Sequence, residues 1–492
     1  MNASEGLAAR RERRRKREVA HEQTRVIALE GRPEATNVSC ETKKRVTPTR
    51  DLVELAWPIA AAMLGETALG LVDTKLVGGL GPGALGGVGI ATTFMFLGYS
   101  VVFGIMRGVK VRTAHAIGEG RPLDGFVYAR SGMLLGFALG IVIMLACRDV
   151  SGVLRALGTD PAIVPYASDF LAAVTLGAPQ TCALAALIQH RQAIGDSRTP
   201  MVVGIAGNTF NAVFAWSLIY GHLGLPAMGV RGGGWATATT ETLELAALAV
   251  MLLRSEKRAR AAESSPSPVM PLRQATRHVA ELGVPTGLQF GVETLAFAAF
   301  TAVLGGIGGA QIAAHQIALN VIRVSFLPGV AIAEAASVMV GRALGKRSLE
   351  EADAAAKAAV RVAIAFMAAC GVVFAVTGGV IAEFFSKDAE VVAVARRLLL
   401  MAAAFQVLDA VNIVYRGSLR GAKDVRVAAA IGIGTMWLFI PTAAWFLGRN
   451  AGLGALGGWI GFLCETTVGG TLVWLRLTKG SWRKNYAPRE SD

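Results

Sequence analysis

The chain of 492 residues is a succession of long apolar runs separated by short polar turns. A helix needs about 20 apolar residues to cross the hydrocarbon core of a bilayer. The runs predict twelve spanning helices, near residues 52–79, 86–116, 126–147, 164–189, 200–221, 230–253, 279–305, 311–342, 355–383, 390–416, 425–447 and 455–476. The expected fold class is therefore an all-α integral membrane protein.

The pattern occurs twice. ELAWPIAAAMLGETALGLVDTKLVGGLG from Glu54 and ELGVPTGLQFGVETLAFAAFTAVLGGIG from Glu281 superpose without a gap at an offset of 227 residues. That offset places Pro58 on Pro285, Glu66 on Glu293, Thr67 on Thr294 and Gly118 on Gly345. Further on, RQAIGDSRTP from Arg191 corresponds to RGSLRGAKDVR from Arg416, read as a Gly-rich basic turn between the fourth and fifth spans of each half. GLPAMGVRGGGWA from Gly224 corresponds to GLGALGGWIG from Gly452. Two halves with equal numbers of spans, both starting on the same side, are parallel repeats about an axis along the membrane normal. The division this implies is a polar basic tail (1–50), a six-helix lobe (51–254), a linker (255–277), a second six-helix lobe (278–477) and a short tail (478–492).

Composition agrees with a membrane protein. Hydrophobic residues make up 53% and charged residues only 17%, where a soluble chain carries about a quarter charged; the mean hydropathy is +0.49. The 58 glycines suit close helix contacts in lipid. A net charge of +14 would suggest nucleic acid in a soluble protein. Here the cations collect in the tails and in the loops after even-numbered spans, while the loops after the first and seventh spans have none. The positive-inside rule then expects both termini in the cytoplasm. The tail RRERRRKRE is interspersed with Glu residues, unlike an acid-poor transit peptide; the expected location is a bacterial inner membrane, with a plastid envelope as the alternative. Cys40, Cys147, Cys182, Cys370 and Cys464 form no CxxC and give neither a disulfide framework nor a zinc site.

Acids inside spans are costly, on the order of 3 kcal/mol even on lenient scales, and mark ion or substrate pathways. Glu293 lies mid-span, with Gln289 one turn before it. Asp409 has Gln406 and Asn412 three residues to either side, an oxygen-rich face suited to a hard cation such as Na⁺. Two acids in one dry pocket could equally carry a proton. Asp73 follows Glu66 by seven residues on one face of the first span. Weaker candidates are Glu241, Glu244 and Glu465, together with Arg323 and Glu334, which are eleven residues apart and could pair within the second lobe. Pro58, Pro285 and Pro328 sit inside spans and permit bending.

At LVDTKLVGGLG (Leu71), GNTFNAVFAWSLIYG (Gly207), AMGVRGGGWATA (Ala227), FGVET (Phe290), AAHQIALN (Ala313) and FQVLDAVNIVYRGSLRGAKD (Phe405), the chain resembles the multidrug and toxic compound extrusion (MATE) family, on its bacterial NorM-like branch. The resemblance covers about residues 50–478. It implies two pseudo-symmetric six-helix lobes around a central cavity, and antiport of Na⁺ or H⁺ against amphipathic, mostly cationic organic compounds. It implies a cation-binding pair at Glu293 and Asp409, a proton or substrate site at Asp73 with Asn211 and Asn208, no cofactor beyond the coupling ion, and a monomer among membrane lipids. Phe405 stands where such sequences often have Tyr. Glu66 is added as the repeat partner of Glu293, not by the resemblance. The rival readings are a flippase for lipid-linked oligosaccharide or other lipids, which would want a cationic cavity, and an intramembrane transferase or protease. For the latter no HExxH, DDxxD or GxSxG is present on the spans, so no enzymatic activity is expected.

Overall fold

The computed structural model describes residues 48–486 apart from 149, 157 and 263–267, and its long elements are all helices. The tail up to residue 47 and the last residues after 486 lie outside the described residues, as does the middle of the expected linker. Twelve long helices follow in order. In the first half they are α1 (Pro48–Gly78), α2 (Pro82–Gly118), α3 (Pro122–Ala146), α4 (Val164–Ala193), α5 (Arg198–Tyr220) and α6 (Val230–Ala262). In the second they are α7 (Leu272–Ile307), α8 (Gly309–Gly345), α9 (Leu349–Phe385), α10 (Ala389–Gly421), α11 (Val425–Asn450) and α12 (Ala455–Lys479). Eleven are long and apolar enough to cross a membrane; α12 is diluted by Glu465, four threonines and several glycines.

Proline and glycine set many of the boundaries. Proline opens α2 and α3, where its missing N–H costs nothing. The tight turn before α2 runs through Gly81 at φ 109°, a conformation an L side chain resists. Pro441 inside α11 precedes a π-helical last stretch, Ala444–Asn450, consistent with a lost backbone donor upstream. A short 3₁₀ turn at Thr175–Gly177 divides α4.

The duplication is visible in the fold. α2 and α8 begin and end 227 residues apart, and α3 and α9 begin 227 apart. The repeat partners Gly118 and Gly345 touch each other: a Cβ built on either would lie 2.8 Å from the other's Cα. Equivalent residues of two repeats can meet only next to the axis that relates them. The pseudo-two-fold axis therefore passes between the ends of α2 and α8.

That end of the molecule, the linker side, also carries residues 268–271 just before α7. The lobes are joined there. α2 packs along α7 and α8, and α1 along α8. A Cβ on Gly108 would lie 2.4 Å from the Val279 carbonyl oxygen, and one on Gly283 2.2 Å from that of Ile105, so the α2–α7 crossing admits no side chain at either position. One apolar cluster bridges the lobes, with Leu52, Leu55 and Ile59 of α1 against Ile332, Ala335 and Val338 of α8. Interlobe hydrogen bonds lie on this side too: Arg112 Nε donates to His278 O at 3.0 Å, His115 Nε2 to Gly421 O at 2.8 Å, and Arg342 Nη2 to Ala193 O at 2.6 Å. Towards the other side each lobe keeps its own core, around Leu154, Phe170 and Ile219 in the first and Phe300, Leu398 and Trp459 in the second. The interlobe contacts thus gather on the linker side, and the cores away from it belong to one lobe each.

Candidate functional site

Three groups of charged side chains sit inside this helical frame: one in the second lobe, one in the first, and one between them.

The second-lobe group is built on α10. Asp409, Asn412, Arg416 and Arg420 recur every three or four residues and share a face of that helix. Arg416 Nη1 donates to Glu293 Oε1 of α7 at 3.1 Å, and Nη2 to Glu465 Oε1 of α12 at 2.5 Å. Gln289 Nε2 donates to the same Glu293 oxygen at 2.9 Å. Asn412 Nδ2 lies 3.4 Å from both Glu465 oxygens, and the Thr435 hydroxyl of α11 donates to Glu465 Oε1 at 3.2 Å. Asp409 lies within electrostatic reach of Glu465 and Arg416, and has no ion pair within 4.0 Å among the described residues. Glycines make the space. A Cβ on Gly432 would come within 2.5 Å of Glu293 Oε1 and 3.0 Å of Arg416 Nη1, and one on Gly469 within 3.2 Å of both Arg416 Nη2 and Glu465 Oε1.

The structure thus sets Arg416 between the two predicted acids, bonded to Glu293 and within electrostatic reach of Asp409. Gln289 supports that site and Asn412 contacts it through Glu465. Gln406 turns elsewhere: fully buried, it donates to the Ser325 hydroxyl of α8 at 2.7 Å. Phe405 is buried against Trp459 and Phe462. Arg416 was read from sequence as part of a basic turn, yet α10 continues to Gly421 and carries it inward. Its spacing from Asp409 and Asn412 was the available signal.

In the first lobe, Glu66 of α1 and Glu241 and Glu244 of α6 lie within electrostatic reach of one another. The Thr181 hydroxyl donates to Glu241 Oε2. Glu244 packs over Gly207 of α5, and Asn208 approaches Gly65 of α1, so α1, α5 and α6 converge here. Asn211, 2% exposed, has its Nδ2 3.5 Å from the Thr237 hydroxyl, while its Oδ1 has no partner. Asp73, half-buried, makes no hydrogen bond or ion pair within 4.0 Å among the described residues. The acids the structure groups in this lobe are therefore Glu66, Glu241 and Glu244, with Asp73 apart, two turns along α1.

The third group joins the lobes. Arg107 and Glu334 are repeat partners, 227 residues apart, and they bond to each other across the axis, Arg107 Nε donating to Glu334 Oε1 at 2.7 Å. Lys110 Nζ reaches Glu334 Oε2 at 2.5 Å, and Arg420 Nη1 lies 3.8 Å from Oε1. Lys110 is 1% and Glu334 4% exposed. Arg107 and Arg420 both stack on the Phe290 ring, 4.2 and 5.2 Å from its centroid. The expected pairing of Glu334 with Arg323 does not occur: Arg323 is exposed on α8, and Glu334 is turned to the N-terminal lobe. Further cations inside the helices are Arg107, Lys110, Arg416 and Arg420.

Two repeated six-helix lobes, each with acids inside its spans, define a multi-pass integral membrane protein built as many secondary transporters are. The chain belongs to the multidrug and toxic compound extrusion family: the MatE family matches residues 58–217 and 285–445, one block in each lobe. It is 34% identical over 420 residues to the probable multidrug resistance protein NorM of Burkholderia mallei, spanning 84% of this chain and 88% of that protein. It is 29% identical over 442 residues to the multidrug resistance protein MdtK of Yersinia pseudotuberculosis, spanning 88% and 96%. Among solved structures, the eukaryotic MATE transporter AtDTX14 superposes with a TM-score of 0.80 at 20% identity, over 89% of this chain and 97% of that one. The family resemblance and the two-lobe fold expected from the sequence are both borne out.

Proposed function

We propose that the chain is a secondary active efflux transporter, not an enzyme, that exchanges Na⁺ or H⁺ for amphipathic, mostly cationic organic compounds by alternating access. One observation carries this reading: the interlobe contacts gather on the linker side, and each lobe holds its own cluster of carboxylates within its spans. Closure on one side is one of the two states that alternating access requires. Carboxylates inside spans are a place for a cation to be traded. The relatives' names as multidrug resistance proteins support the choice of passenger.

In this reading Glu293 and Asp409 take the coupling ion from the open side, and Glu465 completes the acidic set. Entry is driven by the membrane potential, worth about 2.3 kcal/mol per charge per 100 mV. The ion can shift the lobes only by binding one state better than the other. The N-lobe acids Glu66, Glu241 and Glu244, with Asn208, Asn211 and the separate Asp73, supply acceptors for a cationic passenger or a proton. The linker side is assigned to the cytoplasm of a bacterial inner membrane, with both termini inside, by the cations of its loops. A lipid flippase would need basic groups free to hold a pyrophosphate, whereas here Arg107 and Lys110 are engaged by Glu334, and Arg416 by Glu293 and Glu465.

The test is ethidium efflux in everted vesicles, driven separately by a sodium gradient and by a pH gradient. Uphill movement with at least one gradient is expected. Equal expression with no response to either would reject the reading.

A further inference from the structure

Arg416 has no part in the transport cycle as stated, yet it occupies the oxygens that cycle needs. Two carboxylates and one guanidinium share the glycine-walled space between α7, α10, α11 and α12, and Asp409 lies within electrostatic reach of it. An arginine side chain does not give up its proton inside a protein. It is a permanent cation tethered to the chain, so it can change position but not charge.

Its two bonds are unequal. Glu465 is held at 2.5 Å and is further fixed by Asn412 and Thr435. Glu293 is held at 3.1 Å, and its other partner, Gln289, lies on its own helix. Arg416 Nε is buried without a partner among the described residues, so the guanidinium is not fully satisfied where it rests. Asp409, the acid without an ion pair, lies beside this group. An ion arriving at Asp409 must either share Glu293 with the guanidinium or displace it.

Building on the transport reading, we propose that Arg416 is a tethered competitor for the coupling ion. Glu465 anchors it, and Glu293 is the carboxylate it yields when the ion binds. Competition of this kind lowers ion affinity, so that the ion can leave again on the other side. It also makes occupancy mechanical, since the guanidinium bridges α7 to α12 in the ion-free site and stops doing so in the loaded one. Arg416 is then a specificity-determining residue of the ion site, and Glu465 its positioning partner.

The experiment uses the full chain in proteoliposomes and measures the Na⁺ concentration, and in a second arm the pH, that gives half-maximal ethidium efflux. The wild type is compared with Arg416→Gln, Arg416→Lys and Glu465→Gln. Without the tethered charge, Arg416→Gln should reach half-maximal efflux at roughly tenfold lower ion concentration, within the usual range of coupling between two binding events, and its maximal rate should fall because release slows. Arg416→Lys should return towards the wild type. Glu465→Gln should move the other way, needing more ion, because the freed guanidinium bears wholly on Glu293. Sodium-induced thermal stabilisation of the purified variants gives the same order without relying on turnover. A merely structural arginine would lower the rate of Arg416→Gln with unchanged ion dependence, and that result overturns the proposal alone. A wild type indifferent to both ions overturns the transport reading and the tether with it.

Discussion

Replacing Glu334 by glutamine should unlatch the linker side. Among the described residues Glu334 is the carboxylate within 4.0 Å of Arg107, Lys110 and Arg420, and the first two of these belong to the other lobe. Lys110 and Glu334 are almost fully buried. Removing one partner of such a pair costs about 3–5 kcal/mol, because the remaining charge is left buried without compensation. When the lobes part, water reaches the cations and the penalty lapses. The cost therefore falls on the closed state alone, and the closed population should drop by roughly two to three and a half powers of ten relative to the open one. Spin labels at Glu119→Cys and Arg347→Cys, both exposed at the linker side, would report the lobe separation in a background lacking the native cysteines. A shift of the distance distribution to longer values is expected in Glu334→Gln. Because Arg107 and Glu334 are symmetry equivalents, the swap Arg107→Glu with Glu334→Arg should restore part of the closed population. A folded, monodisperse Glu334→Gln protein with the wild-type distribution would refute the reasoning.

Other outcomes follow from the same contacts. Gly283→Val places side-chain carbons against the Ile105 carbonyl oxygen; overpacking costs about 1–3 kcal/mol and should likewise favour linker-side opening, read by the same labels. Gly432→Ala intrudes between Glu293 and Arg416 without touching backbone; a normal melting temperature with an altered ion concentration for half-maximal efflux is expected, and unchanged ion dependence would count against the placement of the site. Pro58→Ala and Pro285→Ala each restore a backbone donor in α1 and α7, and should stiffen those helices and slow exchange of a fluorescent cation; unaltered rates in both would remove bending from the account. Glu241→Gln and Glu244→Gln should weaken binding of a cationic passenger, measured by fluorescence polarisation, more than Asp73→Asn does; the reverse order would return the N-lobe site to Asp73.

The duplication was legible because a gapless offset preserves identities such as Pro58 and Pro285, and the structure carries that same offset into the ends of α2 and α8. The spans were legible because a bilayer demands uninterrupted apolar length. What escaped was electrostatic and long-range. Arg416 and Arg420 looked like loop cations, since a basic cluster beside glycines marks a helix end and the helix runs to Gly421, five residues past the expected end of the span at 416. Arg107 and Lys110 were passed over inside an apolar run because their partner, Glu334, sits 227 and 224 residues away in sequence. Pairing Glu334 with Arg323 rested on helical spacing within α8, but the fold turns Glu334 to the other lobe and leaves Arg323 exposed. Glu241 and Glu244 were visible as intramembrane acids, and only the packing of α6 against α1 and α5 groups them with Glu66.

The central claim is that carboxylates of the second lobe trade an inorganic cation for an organic one. Its most direct test is ethidium transport by Glu293→Gln/Asp409→Asn protein in proteoliposomes, with and without imposed sodium and pH gradients. Downhill ethidium exchange should persist while uphill, gradient-driven accumulation disappears. Accumulation at the wild-type level in that variant would contradict the account.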